Sequence, residues 1–367
     1  MLRREPARIL FYILHCGGMY GTERMALATL EGMSHYDKRV VFSPITQQAN
    51  SVAEAARLTG YETVAFGNRL SLIAAIVPWM FRYQSIDVIG TGVVHNAVCY
   101  VLAKIFRVKI RQVHVAHGGT PDSYIRKASL NHIPVSMVAV SAFVRDALVG
   151  YGVRASGIVI IENFLSAAQI AGHGRRLPYR SDSEISRPLN RSKVNVAIVS
   201  RLDPIKKLAL LVQAVAIYGL FDFQFDIYGT GSEIDSLKAS SVLMPNLRIH
   251  GYVKDVSMRL KEADILLHLC PEEPFGLVVL EGFLSEVVVI VPDSGGAGAL
   301  VEERVTGLHF KPDDVADLVC VLLSARAMGE DDLQRMADAA RETLETRFSP
   351  SEGALRYRNA FDSVSTT

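Results

Sequence analysis

The chain has 367 residues, of which 49% are hydrophobic and 21% charged, and its formal net charge is +1. This length and composition indicate a globular protein with two domains and exclude a disordered or collagen-like chain. No apolar run in the sequence reaches the roughly 18 residues that a membrane-spanning helix needs.

The charge is divided unevenly along the chain. Residues 1–182 hold 20 Lys and Arg against 11 Asp and Glu, a net +9, whereas residues 183–367 hold 19 against 27, a net −8. A basic first half suits an anionic partner such as phospholipid headgroups or a phosphorylated acceptor. An unevenly charged but merely solvated surface is the alternative. Nucleic acid is not predicted as a partner, because no basic run is interleaved with aromatic residues.

The cysteines and the single tryptophan indicate where in the cell the protein is expected. The four cysteines form no C-x-x-C pair, which is typical of a reducing cytoplasm and does not favour disulfides or a zinc site. The apolar segment 70–83 contains the only tryptophan. It is interpreted either as an interfacial anchor on the basic half or as a buried helix bent by Pro78. The sequence therefore predicts a cytoplasmic protein, with peripheral contact at the inner face of a membrane left open.

Short apolar runs alternate with helical patterns through both halves of the chain. The predicted strands of the first half are residues 8–14, 39–43, 63–65, 87–89, 109–114 and 137–140. Its predicted helices are residues 23–33, 51–58, 71–83, 97–106 and 142–150. The second half repeats this scheme, with predicted strands at 194–199, 224–227, 247–250, 265–269, 287–291 and 308–310. Its predicted helices are residues 207–217, 232–237, 256–261, 276–284, 297–302 and 315–327. Such alternation predicts an α/β protein with parallel sheets covered on both faces.

The pattern also suggests where one domain ends and the next begins. Residues 1–170 form a predicted N-terminal domain, the polar stretch 171–192 a linker, and residues 193–349 a C-terminal domain. Residues 331–364 are predicted to be helical with a break at 348–350. The final helix, about residues 350–364, is expected to pack back on the first domain.

Polar and glycine-rich turns follow several predicted strands. The first strand is followed by Gly17, Gly18 and Gly21, where the backbone can approach an anionic ligand closely. They do not form a strict G-x-G-x-x-G, so the support for a dinucleotide site is weak, and glycines needed only for a tight turn are the alternative. Arg201 and Lys206 flank the turn after the strand at 194–199. Because the carboxyl ends of parallel strands meet at one edge, two cations there suit a diphosphate.

The stretch "PEEPFGLVVLEG" at 271–282 places two glutamates on a strand, loop and helix unit. Glu273 lies in the loop, and Glu281 lies about one turn into the helix. The free N–H groups of a helix N-terminus can hold a phosphate. Two acids beside such a site favour sugar-nucleotide chemistry over simple packing.

Taken together, these segments resemble family 4 of the retaining glycosyltransferases, which have the GT-B fold. The resembling segments are "SRLDPIKK", "IYGTGSEIDSLK", "LRIHGYVKD", "ADILLHLCPEEPFGLVVLEG" and "PDSGGAGALVEERVTGLHF", with "YGTERMALATLEGM" and "VAVSAFVRDALVGYGVRASGIVIIENF" in the first half. The resemblance implies two Rossmann-like domains with parallel sheets that face each other across a cleft. The first domain would bind the acceptor and the second the nucleotide sugar.

The resemblance also implies roles for particular residues. Glu273 would contact the donor sugar near the reacting carbon, and His117 in "VHVAHGG" would reach that sugar from the first domain. Arg201 and Lys206 would bind the donor diphosphate, and Glu281 the ribose hydroxyls. The remaining positions implied to contact the donor are Gly21, Leu277 and Val278 at the diphosphate, Phe275 and Gly276 at the sugar, and Gly229, Tyr252 and Val253 at the nucleotide.

The resemblance implies retaining transfer of a sugar from a nucleoside-diphosphate sugar to an acceptor hydroxyl, in polysaccharide, glycolipid or other glycoconjugate synthesis. The nucleotide sugar is a co-substrate, and no cofactor or metal is expected, since the sequence has no D-x-D triplet and no His/Asp cluster at ligand spacing. Departures from the family pattern, such as Lys207 in place of a glycine and Ala299 in place of a glutamate, leave the donor open. The alternatives are a nucleotide-sugar sensor, an inactive transferase-like subunit or a sugar-nucleotide 2-epimerase.

Overall fold

The computed structural model describes residues 7–19, 21–46, 51–174, 193–253 and 256–364. They divide into two compact units, unit 1 with residues 1–167 and 348–367, and unit 2 with residues 168–347. Most of the predicted linker at 171–192 lies outside the described residues. The prediction of an α/β fold with two parallel sheets is confirmed.

The regular elements alternate along the described parts of the chain. The strands are β1 (Ile9–Ile13), β2 (Lys38–Pro44), β3 (Glu62–Phe66), β4 (Ser85–Gly90), β5 (Lys109–Ala116), β6 (Ser136–Ala139), β7 (Ile158–Ile160), β8 (Val194–Val199), β9 (Phe223–Tyr228), β10 (Leu247–Gly251), β11 (Ile265–Leu267), β12 (Val288–Pro292) and β13 (Leu308–Phe310). The α-helices are α1 (Gly21–Gly32), α2 (Val52–Leu58), α3 (Arg69–Arg82), α4 (Val93–Phe106), α5 (Pro121–Lys127), α6 (Ala142–Gly150), α7 (Ala167–Ala171), α8 (Leu208–Tyr218), α9 (Ile234–Ser241), α10 (Val256–Glu262), α11 (Leu277–Leu284), α12 (Gly295–Gly298), α13 (Val315–Ala327), α14 (Glu330–Arg347) and α15 (Pro350–Asp362).

Unit 1 is built on a seven-stranded sheet in the order β3-β2-β1-β4-β5-β6-β7, with every adjacent pair parallel. All five residues of β1 are buried, as expected for a central strand covered on both faces. The last helix, α15, packs on α1 within this unit. A Cβ on Gly32 would lie only 2.7 Å from the Cβ of Ala354, so the small residue permits this close helix contact.

Unit 2 is built on a six-stranded parallel sheet in the order β10-β9-β8-β11-β12-β13. Its strand β12 is buried along its whole length. Helix α14 packs on α11, and the Nη1 atom of Arg341 donates a hydrogen bond to the carbonyl oxygen of Leu284 at 3.0 Å. The break between α14 and α15 follows from Ser349 and Pro350, since the Ser349 hydroxyl accepts from the Glu352 N–H and Pro350 occupies the first turn of α15.

The sheet orders determine where ligands can bind. In each unit the strand order reverses beside the first strand, between β1 and β4 in unit 1 and between β8 and β11 in unit 2. Open parallel sheets bind ligands in the crevice at the carboxyl ends of the strands next to such a reversal. The loops at 14–19 and 91–92, and those at 200–207 and 268–276, begin at these two positions.

Most predicted strands agree with the structure to within two residues, but several elements differ. Strand β7 and helix α5 were not predicted. Strand β7 has only three residues. Helix α5 begins with Thr120 as its N-cap and Pro121 in its first turn, a helix start signal that was not used in the prediction. The predicted helix at 297–302 is wrong in its bounds. Helix α12 ends at Gly298, and the chain turns there, with the Leu300 and Val301 N–H groups bonded only three residues back.

The segment around the single tryptophan forms α3. Leu72, Ile76 and Met80 are buried, and the Trp79 ring contacts Phe11 edge-to-face with ring centroids 5.6 Å apart. One face of α3 is therefore packed on the core, whereas Leu70 and Phe81 are 77% and 51% exposed, and contact with a membrane stays a prediction. Among the described residues, no helix is both long and apolar enough to cross a membrane.

Candidate functional site

The strand reversal in unit 2 brings together two of the predicted site residues. Lys206 lies in a 3-10 turn after β8, and Glu273 lies in the loop after β11. Because β8 and β11 are adjacent, the Lys206 Nζ and Glu273 Oε2 atoms lie 2.5 Å apart. Only 15% and 17% of these side chains are exposed, so the pair is largely shielded from water.

Burial and charge act in opposite directions on Glu273. Burial would raise the pKa of this carboxyl group, but His268 and Lys206 outweigh it and hold the pKa below its ordinary value. Burial lowers the pKa of His268 itself to about 4, so His268 is neutral at pH 7. At neutral pH the cations that favour the ionised form of Glu273 are therefore Lys206, which is hydrogen-bonded to it, and Arg201.

The loop that contains Glu273 is fixed by its backbone. Gly276, the N-cap of α11, has a φ of +90°, and a Cβ there would lie 3.1 Å from the Cβ of Ala297. The Gly296 N–H donates to the Glu273 carbonyl oxygen at 2.6 Å, and the Ser294 hydroxyl donates to the Pro271 carbonyl oxygen at 3.0 Å. These contacts place Glu273 next to the N-terminus of α11, where Leu277 and Val278 are the first two residues.

Arg201 follows the carboxyl end of β8, at the same edge of the sheet as Lys206, but its side chain is more exposed than that of Lys206. Its Nη1 atom is 2.6 Å from Asp203 Oδ2, and 62% of its side chain is accessible. Lys207, at the position of the family glycine, has a φ of +57°. That left-handed conformation explains why a glycine would be suitable there. The Lys207 Nζ atom pairs with Asp313 at 3.0 Å and so does not join Lys206 at Glu273.

The residues predicted to contact the nucleotide differ in their surroundings. The Gly229 N–H donates to the Gly251 carbonyl oxygen, and a Cβ on Gly229 would lie 1.8 Å from the Ser200 carbonyl oxygen. Close backbone packing alone therefore explains why this position is a glycine. Tyr252 is exposed, and Val253 is half-buried beside it. Glu281 and Phe275 are buried, and their roles toward ribose and sugar stay predictions.

In unit 1, His117 lines a cavity of about 700 Å³ at the carboxyl edge of the sheet. Burial, together with His15 and Lys127, lowers the pKa of His117 to about 3, so its ring is neutral at pH 7. His114, three residues earlier, is buried and bonded to the Asn96 side chain at 2.9 Å. Gly21 is the first residue of α1, and its contact with a diphosphate stays a prediction.

The strand reversal in unit 1 also joins two loops. The Thr91 Oγ1 atom, after β4, lies 3.0 Å from both the backbone nitrogen and Nδ1 of His15, after β1. This pair and the buried Lys127 on α5 line the same cavity as His117. Lys127 and Thr91 were not predicted as site residues, because α5 was not predicted and Thr91 has no signal in a single sequence.

The structure also brings together three residues that could ligate a metal. The ligand atoms of His268, Cys270 and Glu273 lie within 4.8 Å of one another, although sequence spacing predicted no such cluster. His268 Nε2 is buried without a hydrogen-bond partner, 3.6 Å from Glu273 Oε2. The Lys206 ammonium group already provides at the Glu273 carboxylate the positive charge that a metal ion would supply.

Comparisons with known proteins show which family part of this chain resembles. Residues 193–325 match the family model for Glycosyl transferases group 1. The chain is 34% identical to the alpha-1,3/1,6-mannosyltransferase alg-2 of Neurospora crassa over 104 residues, or 28% of this chain and 22% of that protein. It is 30% identical to the glycogen synthase of Thermotoga maritima over 148 residues, or 37% of this chain and 30% of that protein. The matches thus span less than a third of these curated relatives.

The fold is shared over the whole chain with solved structures. Anabaena HepE in complex with UDP-glucose superposes with a TM-score of 0.77 at 18% identity, over 98% of this chain and 100% of that one. Such a likeness shows the GT-B fold. The predicted fold class and the resemblance to glycosyl transferases group 1 are confirmed. Membership of family 4 in particular stays a prediction.

Proposed function

We propose that this chain, which has the GT-B fold and is related through residues 193–325 to Glycosyl transferases group 1, is a retaining glycosyltransferase. It would transfer a sugar from a nucleoside-diphosphate sugar to an acceptor hydroxyl, without a metal ion. The observation on which this proposal rests is the Lys206–Glu273 pair beside the N-terminus of α11. The complexes of HepE with UDP and with UDP-glucose support a nucleotide-sugar donor by analogy.

The proposed roles follow from the charges of the site. Lys206, Arg201 and the N-terminal N–H groups of α11 would stabilise the diphosphate as negative charge develops on it. Lys206 would do so while it remains bonded to Glu273, since an ammonium group has three donors. With Lys206 acting as the cation, the leaving group needs no Lewis acid. This is the physical argument for metal independence.

Glu273 is the single proposed carboxylate near the reacting sugar, because Glu281 is assigned to the ribose. Retaining glycosidases that form a covalent intermediate use a second carboxylate as acid. We therefore favour attack on the same face of the sugar. The acceptor oxygen bonds to the anomeric carbon, the bond to the diphosphate breaks with its electron pair, and the acceptor proton passes to the departing phosphate oxygen. Glu273 would stabilise the positive charge on the sugar.

His117 is proposed to act as a neutral hydrogen-bonding group. Its pKa of about 3 means that it carries no charge at pH 7, so it would orient a sugar hydroxyl instead of attracting the diphosphate. Glycoconjugate synthesis, with a glycan or lipid-linked glycan as acceptor, is the proposed context.

A panel of nucleotide sugars tests the proposal in two steps. A true donor raises the melting temperature by preferential binding to the folded protein. The same donor should then release nucleoside diphosphate slowly in the absence of acceptor, at an equal rate with and without EDTA. Once an acceptor is found, proton NMR of the first-formed product should show the anomeric configuration of the donor.

The outcomes separate the alternatives. Binding without release of nucleoside diphosphate, with any acceptor tried, would instead fit a nucleotide-sugar sensor or an inactive subunit. Loss of activity in EDTA that returns with a divalent cation would overturn metal independence. Conversion of the nucleotide sugar to its 2-epimer would favour the epimerase.

A further inference from the structure

The cavity of unit 1 has an unbalanced charge. It is lined by the cations Arg69, Arg126 and Lys127, and none of the described residues that line it is Asp or Glu. The histidines of the lining provide no negative charge. Burial lowers the pKa of His95 to about 4 and that of His117 to about 3, so both rings are neutral at pH 7. An anion would therefore enter a site that provides only positive or neutral groups.

Lys127 is the central observation. Only 5% of this residue is exposed, and its Nζ atom contacts the Ser123 hydroxyl at 2.6 Å and the carbonyl oxygens of Ser123 and Gly118 at 3.4 Å. It also lies 4.8 Å from the Tyr124 ring centroid. All these partners are neutral. Lys and Arg are rarely buried without an opposite charge, so the site is incomplete as the described residues form it.

The surroundings keep space for this ammonium group. A Cβ on Gly119 would lie 2.6 Å from the Ser123 Oγ atom and 3.3 Å from Lys127 Nζ. Arg69 and Arg126 are exposed, and they have no ion-pair partner among the described residues. Two guanidinium groups that line the same cavity as a buried ammonium group form the kind of site that binds a dianion with several oxygen acceptors.

We infer that this cavity binds a phosphate or diphosphate group of the acceptor, an inference that rests on the proposed function for its assignment to the acceptor. The donor diphosphate has its own cations, Arg201 and Lys206, in unit 2. The cations of unit 1 therefore match a second anion. The apolar lining at Phe66, Leu72 and Val94 adds space for an uncharged part of the same molecule.

Hydrogen–deuterium exchange of the full chain, with inorganic pyrophosphate as the probe, tests the site. Peptides that cover residues 91–95 and 118–127 report on unit 1, and peptides that cover 200–207 and 268–277 report on unit 2. Replacing Arg69→Gln and Arg126→Gln together should raise the pyrophosphate concentration needed for half-protection of the unit 1 peptides by about tenfold or more, since each removes a charged hydrogen-bond donor. Both residues are exposed, so the variant should fold.

The matched control is Lys104→Gln with Arg154→Gln, which removes the same charge from exposed positions of unit 1 that do not line the cavity. This control should leave the half-protection concentration unchanged. The inference would be overturned if the half-protection concentration rose equally in both variants. It would also be overturned if pyrophosphate did not protect the unit 1 peptides of the wild type. Protection of the unit 2 peptides by a nucleotide sugar is read separately, so failure of the proposed function and failure of this inference are distinguishable.

A second arm identifies the source of the phosphate. Phosphatidylcholine vesicles with and without phosphatidic acid are sedimented with the same three proteins. A lipid phosphate would make both vesicle binding and pyrophosphate protection depend on Arg69 and Arg126. A soluble phosphorylated acceptor would make only pyrophosphate protection depend on them. Vesicle binding that depends on the pair without any pyrophosphate protection would contradict binding in the cavity.

Discussion

The carboxyl edges of the two sheets each hold a lysine that is largely shielded from water, but in opposite ways. In unit 2 the Lys206 ammonium group is 2.5 Å from a carboxylate, and Arg201 is paired with Asp203. In unit 1 Lys127 contacts only neutral groups. Burial without an opposite charge lowers the pKa of Lys127 to about 8, whereas His268 and Lys206 together hold the pKa of Glu273 below its ordinary value. The paired site is electrostatically complete without a ligand, and the unpaired site is completed by an anion.

The largest expected effect concerns the carboxylate of the paired site. Glu273→Gln should reduce kcat with the best donor by about 10²- to 10³-fold, as does loss of a single group that stabilises transition-state charge. The neighbouring Glu272 is exposed and serves as the matched control. Steady-state release of nucleoside diphosphate measures both variants. If Glu273→Gln kept the wild-type kcat, or if Glu272→Gln lost as much kcat as Glu273→Gln, the proposed role of Glu273 would be wrong.

The two lysines should also differ in their contribution to stability. Lys206→Met leaves the Glu273 carboxylate without its cation and should lower the free energy of unfolding by about 1 to 3 kcal/mol. Lys127→Met removes a buried charge that has no opposite partner, so its effect on the free energy of unfolding should be near zero or favourable.

Thermal melts of the two variants without ligand check this difference. The melting temperature should fall for Lys206→Met and stay equal or rise for Lys127→Met. A fall for Lys127→Met as large as that for Lys206→Met would show that the neutral contacts of Lys127 already satisfy its charge. The contrast between the two edges would then be wrong.

The fold was largely predictable because the buried strands are near-continuous apolar runs and the turns have clear chemistry, as at Ser349 and Pro350. The role of Lys206 was predicted from its position after a strand and from the resemblance, and the role of Glu273 at the sugar from the resemblance alone. Their direct pairing depends on β8 lying beside β11, and no local pattern specifies that strand order. Lys127 could not be predicted at all. Its significance comes from its burial and from the absence of acids in the described lining of the cavity, which are properties of the folded chain.

The last comparison of the two edges concerns the effect of acid on their buried histidines. Unit 1 has His95 and His117 with pKa values of about 4 and about 3, and His114 with a pKa well below its ordinary value, whereas unit 2 has His268 at about 4. Above pH 6.5 each of these rings is neutral in both the folded and the unfolded chain. Below it, the unfolded chain binds protons that the folded chain does not.

Stability is therefore lost as the pH falls from 6.5 toward the folded-state pKa values, by about 1.4 kcal/mol per pH unit for each such histidine. Hydrogen exchange at pH 7.0 and 5.5, corrected for the intrinsic exchange rate, should show a larger loss of protection in β1, β4 and β5 than in β8, β11 and β12. Most carboxylates stay ionised in this range, so the comparison isolates the histidines. His117→Asn should reduce the loss in unit 1, because one titrating ring is removed. Equal loss in the two sheets, or greater loss in unit 2, would mean that proton binding is not what distinguishes their edges.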